Sequence, residues 1–202
     1  MAPEVFMLTL YPEIENQEVE MGKVRFRRSN QDPLEQFFLA AYCRLREPRR
    51  IFEIGTYDGS TTLLLARNAP DARIFTLDLP PEAASVATVR GEEEHAASGN
   101  VGSAYRGTPE EARIEQLYGD SRTFDFEPWM ASIDLVSVDG GHTYECVASD
   151  TATAKRLLAP GGAIVWDDYE PVWPDVVRAV DECGLPASHI KHTGLAIVDT
   201  GR

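Results

Sequence analysis

Three aspartates and one histidine carry the chemistry this sequence offers most plainly. Asp139 opens the run Asp139-Gly140-Gly141-His142-Thr143-Tyr144, and Asp167-Asp168 follows the next apolar stretch. Each group ends a β-rich segment, so adjacent parallel strands would bring all three carboxylates to one rim. Crowded carboxylates repel one another or take up protons, which raises at least one pKa. A hard divalent cation relieves the repulsion, and oxygen-only ligation suits magnesium, calcium or manganese. Asp139, Asp167 and Asp168 are therefore the expected metal ligands. His142 stands three residues beyond Asp139; an imidazole with an unperturbed pKa of about 6.5 can take a proton near neutral pH. Asp139 and His142 form the candidate catalytic pair, the imidazole as base for a hydroxyl proton.

A second group precedes them in the chain. Glu53-Ile54-Gly55-Thr56-Tyr57-Asp58-Gly59-Ser60-Thr61 is a glycine-containing turn between an apolar strand and a helix. Such a turn lets backbone N–H groups approach a ligand closely. The dinucleotide fingerprint would place glycines at 55, 57 and 60, where this chain has Gly55, Tyr57 and Ser60. Glu53 and Asp58 would also repel a pyrophosphate, whereas a cationic ligand gains from them. S-adenosylmethionine, with its sulfonium and ammonium groups, fits that pattern better than NAD. Glu53, Gly55, Thr56, Tyr57, Gly59 and Ser60 are the candidate cradle. Asp78, closing the next strand, can accept both ribose hydroxyls. Asp120 and Ser121, in the Gly119-Asp120-Ser121 step, stand where an adenine edge would lie, and Asp139 borders the same crevice.

These residues need a scaffold that presents strand ends side by side. Strands are expected over 50–55, 72–78, 133–139 and 162–166, with a weaker one over 113–118 and a last one over 195–198. Helices are expected over 33–46, 60–68, 144–158 and 174–183, the first and last opening on proline. The strand runs are almost continuously apolar, which means burial on both faces and a parallel sheet. The fold class is α/β, a doubly wound Rossmann-like sheet with helices on both faces and ligands beyond the strand carboxyl ends. One domain over 1–202 is expected. Residues 1–47 supply an N-terminal hairpin or lid and a helix, with Met21-Gly22-Lys23 as a turn. Residues 48–202 form the cofactor-binding core. An insertion over 80–112, with Glu92-Glu93-Glu94 and Gly99, Gly102 and Gly107, reads either as a solvated segment or as a loop over a ligand.

Taken together, Glu53–Gly59, Asp78, Gly119-Asp120-Ser121 and Leu158–Gly162 resemble the class I S-adenosylmethionine-dependent methyltransferases. The resemblance covers roughly 45–200 and implies a seven-stranded sheet whose last strand is antiparallel. It also implies Glu53 and the Gly55–Gly59 loop near the methionine part, Asp78 on ribose, and Asp120 with Ser121 at adenine. Asp139, Asp167 and Asp168 are similar to the magnesium-holding acids of metal-dependent O-methyltransferases of the catechol and caffeoyl-coenzyme A type, and of macrolide and aminocoumarin sugar enzymes. Asp139–Tyr144 also resembles a branch of small-molecule methyltransferases. Two positions depart from the patterns: Tyr57 replaces a common glycine, and His142 replaces the lysine of the catechol type. The expected partner is a small hydroxylated acceptor, a sugar diol or a phenol; a homodimer rests on family analogy alone.

Composition narrows the field. The chain has 33 acidic and 19 basic residues and a net charge of −14, which argues against nucleic acid, whose phosphates require basic patches. No stretch approaches the ~20 apolar residues of a membrane span. With no secretion signal in view and an odd set of cysteines, Cys43, Cys146 and Cys183, reduced thiols in the cytoplasm are expected. His95, His189 and His192 are expected to be solvated or loop histidines, Asp150 to make a structural hydrogen bond, and Trp166 to fill the core. Tyr169 and Trp173 either line an acceptor pocket or pack. The rival functions are a metal-independent methyltransferase, an NAD-dependent oxidoreductase and a catalytically silent cofactor-binding domain.

Overall fold

The computed structural model describes residues 1–22, 32–80 and 101–201. In chain order its elements are β1 (Glu4–Val5), α1 (Met7–Leu10), α2 (Pro33–Arg46), β2 (Arg50–Ile54), α3 (Ser60–Asn68), β3 (Arg73–Asp78), β4 (Ile114–Tyr118), β5 (Ile133–Val138), α4 (Tyr144–Leu157), β6 (Leu158–Trp166), α5 (Pro174–Glu182), β7 (Ser188–Ile190) and β8 (Ala196–Asp199). The strands make one sheet in the order β1-β7-β8-β6-β5-β2-β3-β4. Strand β8 runs antiparallel to β6 and β7, and every other pairing is parallel. Strands β2 to β8 are the expected seven, with the last one reversed.

The N-terminal segment differs from the hairpin or lid expected of it. Glu4 and Val5 pair in parallel with His189 and Ile190 and add an eighth strand to the sheet edge. Two residues carry too little alternation to signal a strand, so long-range pairing decides the matter. Tyr11 and Ile14 then bury themselves against Phe38 and Tyr42 of α2. Gly22 has a turn-like φ of +64°; Lys23 of the expected turn, His95 and most of the 80–112 insertion lie outside the described residues.

Helix α2 begins and ends where capping chemistry dictates. The Asp32 side chain accepts from the Leu34 amide at 2.9 Å, and Glu35 accepts from the Asp32 amide at 2.6 Å, a reciprocal cap ahead of Pro33. On the opposite face of the sheet, the crossover from β4 to β5 contains no long helix. Instead Phe126 and Trp129 stand 5.4 and 5.5 Å from the Phe52 ring, closing an aromatic cluster over β2 and β3. Helix α4 passes directly into β6. The Ala159-Pro160-Gly161-Gly162 breaker lies inside that strand as an irregularity, where the register jumps from Ile133↔Leu158 to Leu135↔Ala163. Gly161 takes a φ of +82° there.

The sheet order reverses between β2 and β5: the chain winds outward through β3 and β4, then returns to continue through β5 and β6. Ligand crevices form at such a switch point. Here the two strand exits touch. Gly55 has φ +99°, and a Cβ on it would lie 1.8 Å from the Asp139 carbonyl oxygen. Both sterics and backbone angle therefore require glycine. Gly55→Ala should lower unfolding free energy by roughly 2–4 kcal/mol, the order expected of a strained backbone combined with overpacking; urea denaturation measures it, and a loss within error of zero would refute the contact.

Candidate functional site

The turn after β2 is held by the acid that ends β3. One Asp78 oxygen accepts from the Thr56 and Tyr57 amides at 3.1 and 2.8 Å, and the other accepts from the Leu79 amide at 2.7 Å. Tyr57 adopts φ +50°, so the position where a glycine is common keeps the left-handed geometry despite its side chain. Asp58 accepts from the Ser60 amide at 2.9 Å and seats the start of α3. Beneath the turn, Glu53 is buried and accepts from the Thr62 and Thr76 hydroxyls, both at 2.5 Å. Burial pushes its carboxyl up to about 7 against those two donors.

Part of the segment whose role the sequence left open closes onto this turn. Gly102 and Ala104 amides donate to the Tyr57 and Asp58 carbonyls at 2.9 and 2.8 Å. The Tyr105 ring lies so near Gly59 that a Cβ there would come within 2.6 Å of it. Its hydroxyl donates to Gln116 on β4 at 2.5 Å, and Gln116 donates onward to Thr56 at 3.0 Å. Residues 101–105 thus buttress the glycine turn. Neither Tyr105 nor Gln116 was legible as a site residue, because each acts through a neighbour distant in sequence.

In the turn after β4, Asp120 is committed to Arg122. It accepts from the Arg122 amide, Nε and Nη2 at 3.0, 3.0 and 2.6 Å, and these hydrogen bonds hold its carboxyl below its ordinary range. Ser121 follows it toward Asp150 of α4. The buried Asp150 carboxyl faces the Ser121 side chain, which offsets part of the upward push that burial exerts on it.

The acidic rim assembles where β5 and β6 end. Asp139, His142 and Asp168 each present a ligand atom within 4.8 Å of the others. His142 Nε2 lies 2.7 Å from Asp168 Oδ2, and the imidazole stacks on Trp173 with ring centroids 4.3 Å apart. Asp168 takes a φ of +58°, which the chain holds by donating the Tyr169 amide to the Gly194 carbonyl at 2.7 Å. Asp167 lies alongside; one of its oxygens accepts from the Asp168 amide at 2.9 Å. Burial, then the charges of Asp167 and Asp168, push the Asp139 carboxyl well above its ordinary range. All three expected metal ligands therefore share one rim, and the three-sided donor set there includes the expected base. Trp173 lines this site through its stack on His142. Tyr169 is buried and donates to Asp181 at 2.8 Å, so it packs. Trp166 is core and donates to Thr151. His189 sits in β7 and contacts the Thr193 carbonyl, while His192 lies beyond the strand at φ +68°. The three cysteines are free thiols.

A family profile described as a methyltransferase domain matches residues 52–169, more than half of the chain. The human protein named transmembrane O-methyltransferase is 29% identical over 175 residues, covering 83% of this chain and 55% of that one. The release factor glutamine methyltransferase of Bacteroides thetaiotaomicron is 25% identical over 150 residues, covering 67% of this chain and 52% of that one. The chain thus spans about half the length of these curated relatives. Among solved structures, cofactor-bound Rv0187 from MTB is 27% identical, with a TM-score of 0.60 over 88% of this chain and 84% of that one. Among the described residues here, no helix is long and apolar enough to cross a membrane.

The raised carboxyls make a stability prediction. A carboxyl whose folded pKa exceeds its unfolded value binds protons more tightly when folded, so stability is lost as pH rises through the folded pKa. For Glu53 that window runs from its ordinary 4.5 to about 7, and for Asp150 from 3.8 to about 6. The metal-free protein should gain on the order of 1–2 kcal/mol on going from about pH 8 to about pH 6. Thermal unfolding across that range checks this, and Glu53→Gln should flatten the upper part of the curve.

Proposed function

The chain belongs to the methyltransferase domain family, and from that premise we propose that it is an S-adenosylmethionine-dependent O-methyltransferase acting, with a hard divalent cation such as magnesium, on a hydroxyl of a small sugar or phenolic molecule. One observation carries the reading: Asp139, His142 and Asp168 converge at the strand exit that touches the Gly55 turn. Methyl-transfer machinery and a proton-handling group then share a crevice. Family membership leaves the NAD-dependent alternative without support.

The donor set fits a hard cation. Asp139 and Asp168 offer oxygens at one point, Asp167 stands beside them, and burial, then the charges of Asp167 and Asp168, raise the Asp139 carboxyl. Asp139, Asp167 and Asp168 would hold the ion. A bound divalent cation lowers the pKa of a coordinated hydroxyl and fixes its orientation. His142 is the proposed proton acceptor. Asp168 holds one ring nitrogen and Trp173 holds the ring plane, so the imidazole enters the reaction already oriented, and the nearby carboxylate stabilises the imidazolium that results. The Gly55–Ser60 turn and Asp78 would seat the methionine and ribose portions, with Ser121 and the Asp120 turn at adenine. The positive sulfonium of S-adenosylmethionine suits a crevice floored by Glu53. The His142–Asp168 hydrogen bond also favours a second reading, in which the pair works as a base without an ion.

Transfer of labelled methyl from S-adenosylmethionine to a panel of catechols and vicinal diols, with magnesium and with a chelator, tests both. Asp139→Asn and Asp167→Ala should each cost about 100-fold or more in kcat while S-adenosylhomocysteine affinity stays within about threefold, as expected when reacting-group alignment alone is lost. Full activity in chelator would select the metal-independent reading. His142→Ala should lower kcat by roughly 10²–10⁴-fold, the usual worth of a general base; an unaltered pH–rate profile would remove it from that role.

A further inference from the structure

The contact between Tyr105 and Gln116 is the outer end of a longer chain of hydrogen bonds. Glu53, Thr76 and Gln116 are register partners on β2, β3 and β4, so they form one row across three adjacent strands. Tyr105 Oη donates to Gln116 Oε1 at 2.5 Å, and Gln116 Nε2 donates to Thr56 Oγ1 at 3.0 Å. Thr56 Oγ1 lies 2.7 Å from Thr76 Oγ1, and Thr76 donates to Glu53 Oε2 at 2.5 Å. Tyr105, Thr56, Thr76 and Glu53 are all buried.

The available protons fix the direction of every link. Gln116 Nε2 also donates to the Thr76 and Leu117 carbonyls at 3.2 and 2.9 Å. Those acceptors require the amide nitrogen on that side, which turns Oε1 toward Tyr105 and makes the phenol the donor. The Thr76 hydroxyl has one proton and gives it to Glu53, so Thr56 must donate to Thr76. All links therefore point toward the carboxylate, and hydrogen bonds in such a series strengthen one another. Thr62 donates to the same oxygen, Oε2. The neighbouring acids are held otherwise: Asp58 and Asp78 accept from backbone amides of the turn, whereas Glu53 depends on threonine hydroxyls, which can rotate. Tyr105 removes that freedom at its source, because its ring is wedged where a side chain at Gly59 or Gly102 would strike it.

We propose that Tyr105 and Gln116 are positioning residues for the amino-acid end of S-adenosylmethionine, holding the Glu53 carboxylate, through Thr56 and Thr76, in the orientation that receives the cofactor's ammonium group. The proposal rests on the reading of the Gly55–Ser60 turn as an S-adenosyl site with its methionine portion toward Glu53. It gives the segment over 101–105 a part in recognising one end of the cofactor, beyond packing on the turn.

Calorimetric titration with S-adenosylhomocysteine and with 5′-methylthioadenosine, which lacks the amino-acid portion, decides the matter. Tyr105→Phe keeps the ring against Gly59 and removes only the hydroxyl. Tyr105→Phe and Gln116→Met should each weaken S-adenosylhomocysteine binding about 5-fold, the scale of one hydrogen bond in a buried network, and leave 5′-methylthioadenosine affinity unchanged. The double variant should be no weaker than either single one, because both cut the same chain. Thr56→Val should match Tyr105→Phe, and Thr56→Ser, which keeps the donor, should restore wild-type affinity. Equal losses for both ligands mark a buttress of the whole turn and overturn the proposal. So do wild-type S-adenosylhomocysteine affinity in Tyr105→Phe, or multiplied losses of about 25-fold in the double variant. Absence of S-adenosylhomocysteine binding by the wild-type protein would instead overturn the nucleoside reading, and this proposal with it.

Discussion

Gly55 and Asp139 meet backbone to backbone where β2 and β5 leave the sheet, and the site's geometry follows from that contact. The Asp139 amide donates to the Ile54 carbonyl at 2.8 Å and the Gly55 amide to the Leu77 carbonyl at 2.9 Å, so the ladder hydrogen bonding of the sheet continues past its edge before the turns diverge. The glycine turn and the acidic rim are thereby fixed relative to each other by main chain, whose geometry does not depend on rotamers. The backbone of one turn thus faces the side chains that the other carries. Rigid elements of this kind hold reacting groups with the precision that alignment catalysis needs.

Negative charge is the second constraint, and the molecule compensates it differently at each point. Glu53 receives two hydroxyls, Asp78 three amides, and Glu35 the amides of Asp32 and Gly194. Each is thereby settled within the protein. Asp139 is left with its charge opposed by Asp167, Asp168, Glu53 and Glu35. A surface with a net charge of −14 could have dispersed its carboxylates in solvent; concentrating several at one half-buried rim is costly unless a cation or a proton completes it.

The loop after β6 shows how distant segments support the rim. Asp168 occupies a left-handed backbone angle, and the following Tyr169 is clamped from two directions, by Gly194 on its amide and Asp181 on its hydroxyl. The Ala2 amide donates to the same hydroxyl at 2.8 Å, so the N-terminal segment that adds β1 to the sheet also backs the Asp167–Tyr169 turn. Glu35, at the start of α2, reaches Gly194 from the other face. Segments far apart in the chain thus meet behind one short acidic turn.

Periodicity and composition by themselves determined the alternation of strands and helices, the doubly wound sheet and the strand-end placement of Glu53, Asp78, Asp139 and the Asp167-Asp168 pair. Continuous apolar runs and proline- or glycine-marked ends are local signals, and a parallel sheet turns strand order into side-by-side strand ends. Only the tertiary structure decided what depends on contacts between remote residues. Those contacts pair Glu4–Val5 with β7, lay residues 101–105 against the glycine turn, fold Asp120 onto Arg122, and stack Trp173 on His142. Local sequence fixes backbone preference over a few residues, whereas the partner a polar side chain finds is set by the path of the whole chain.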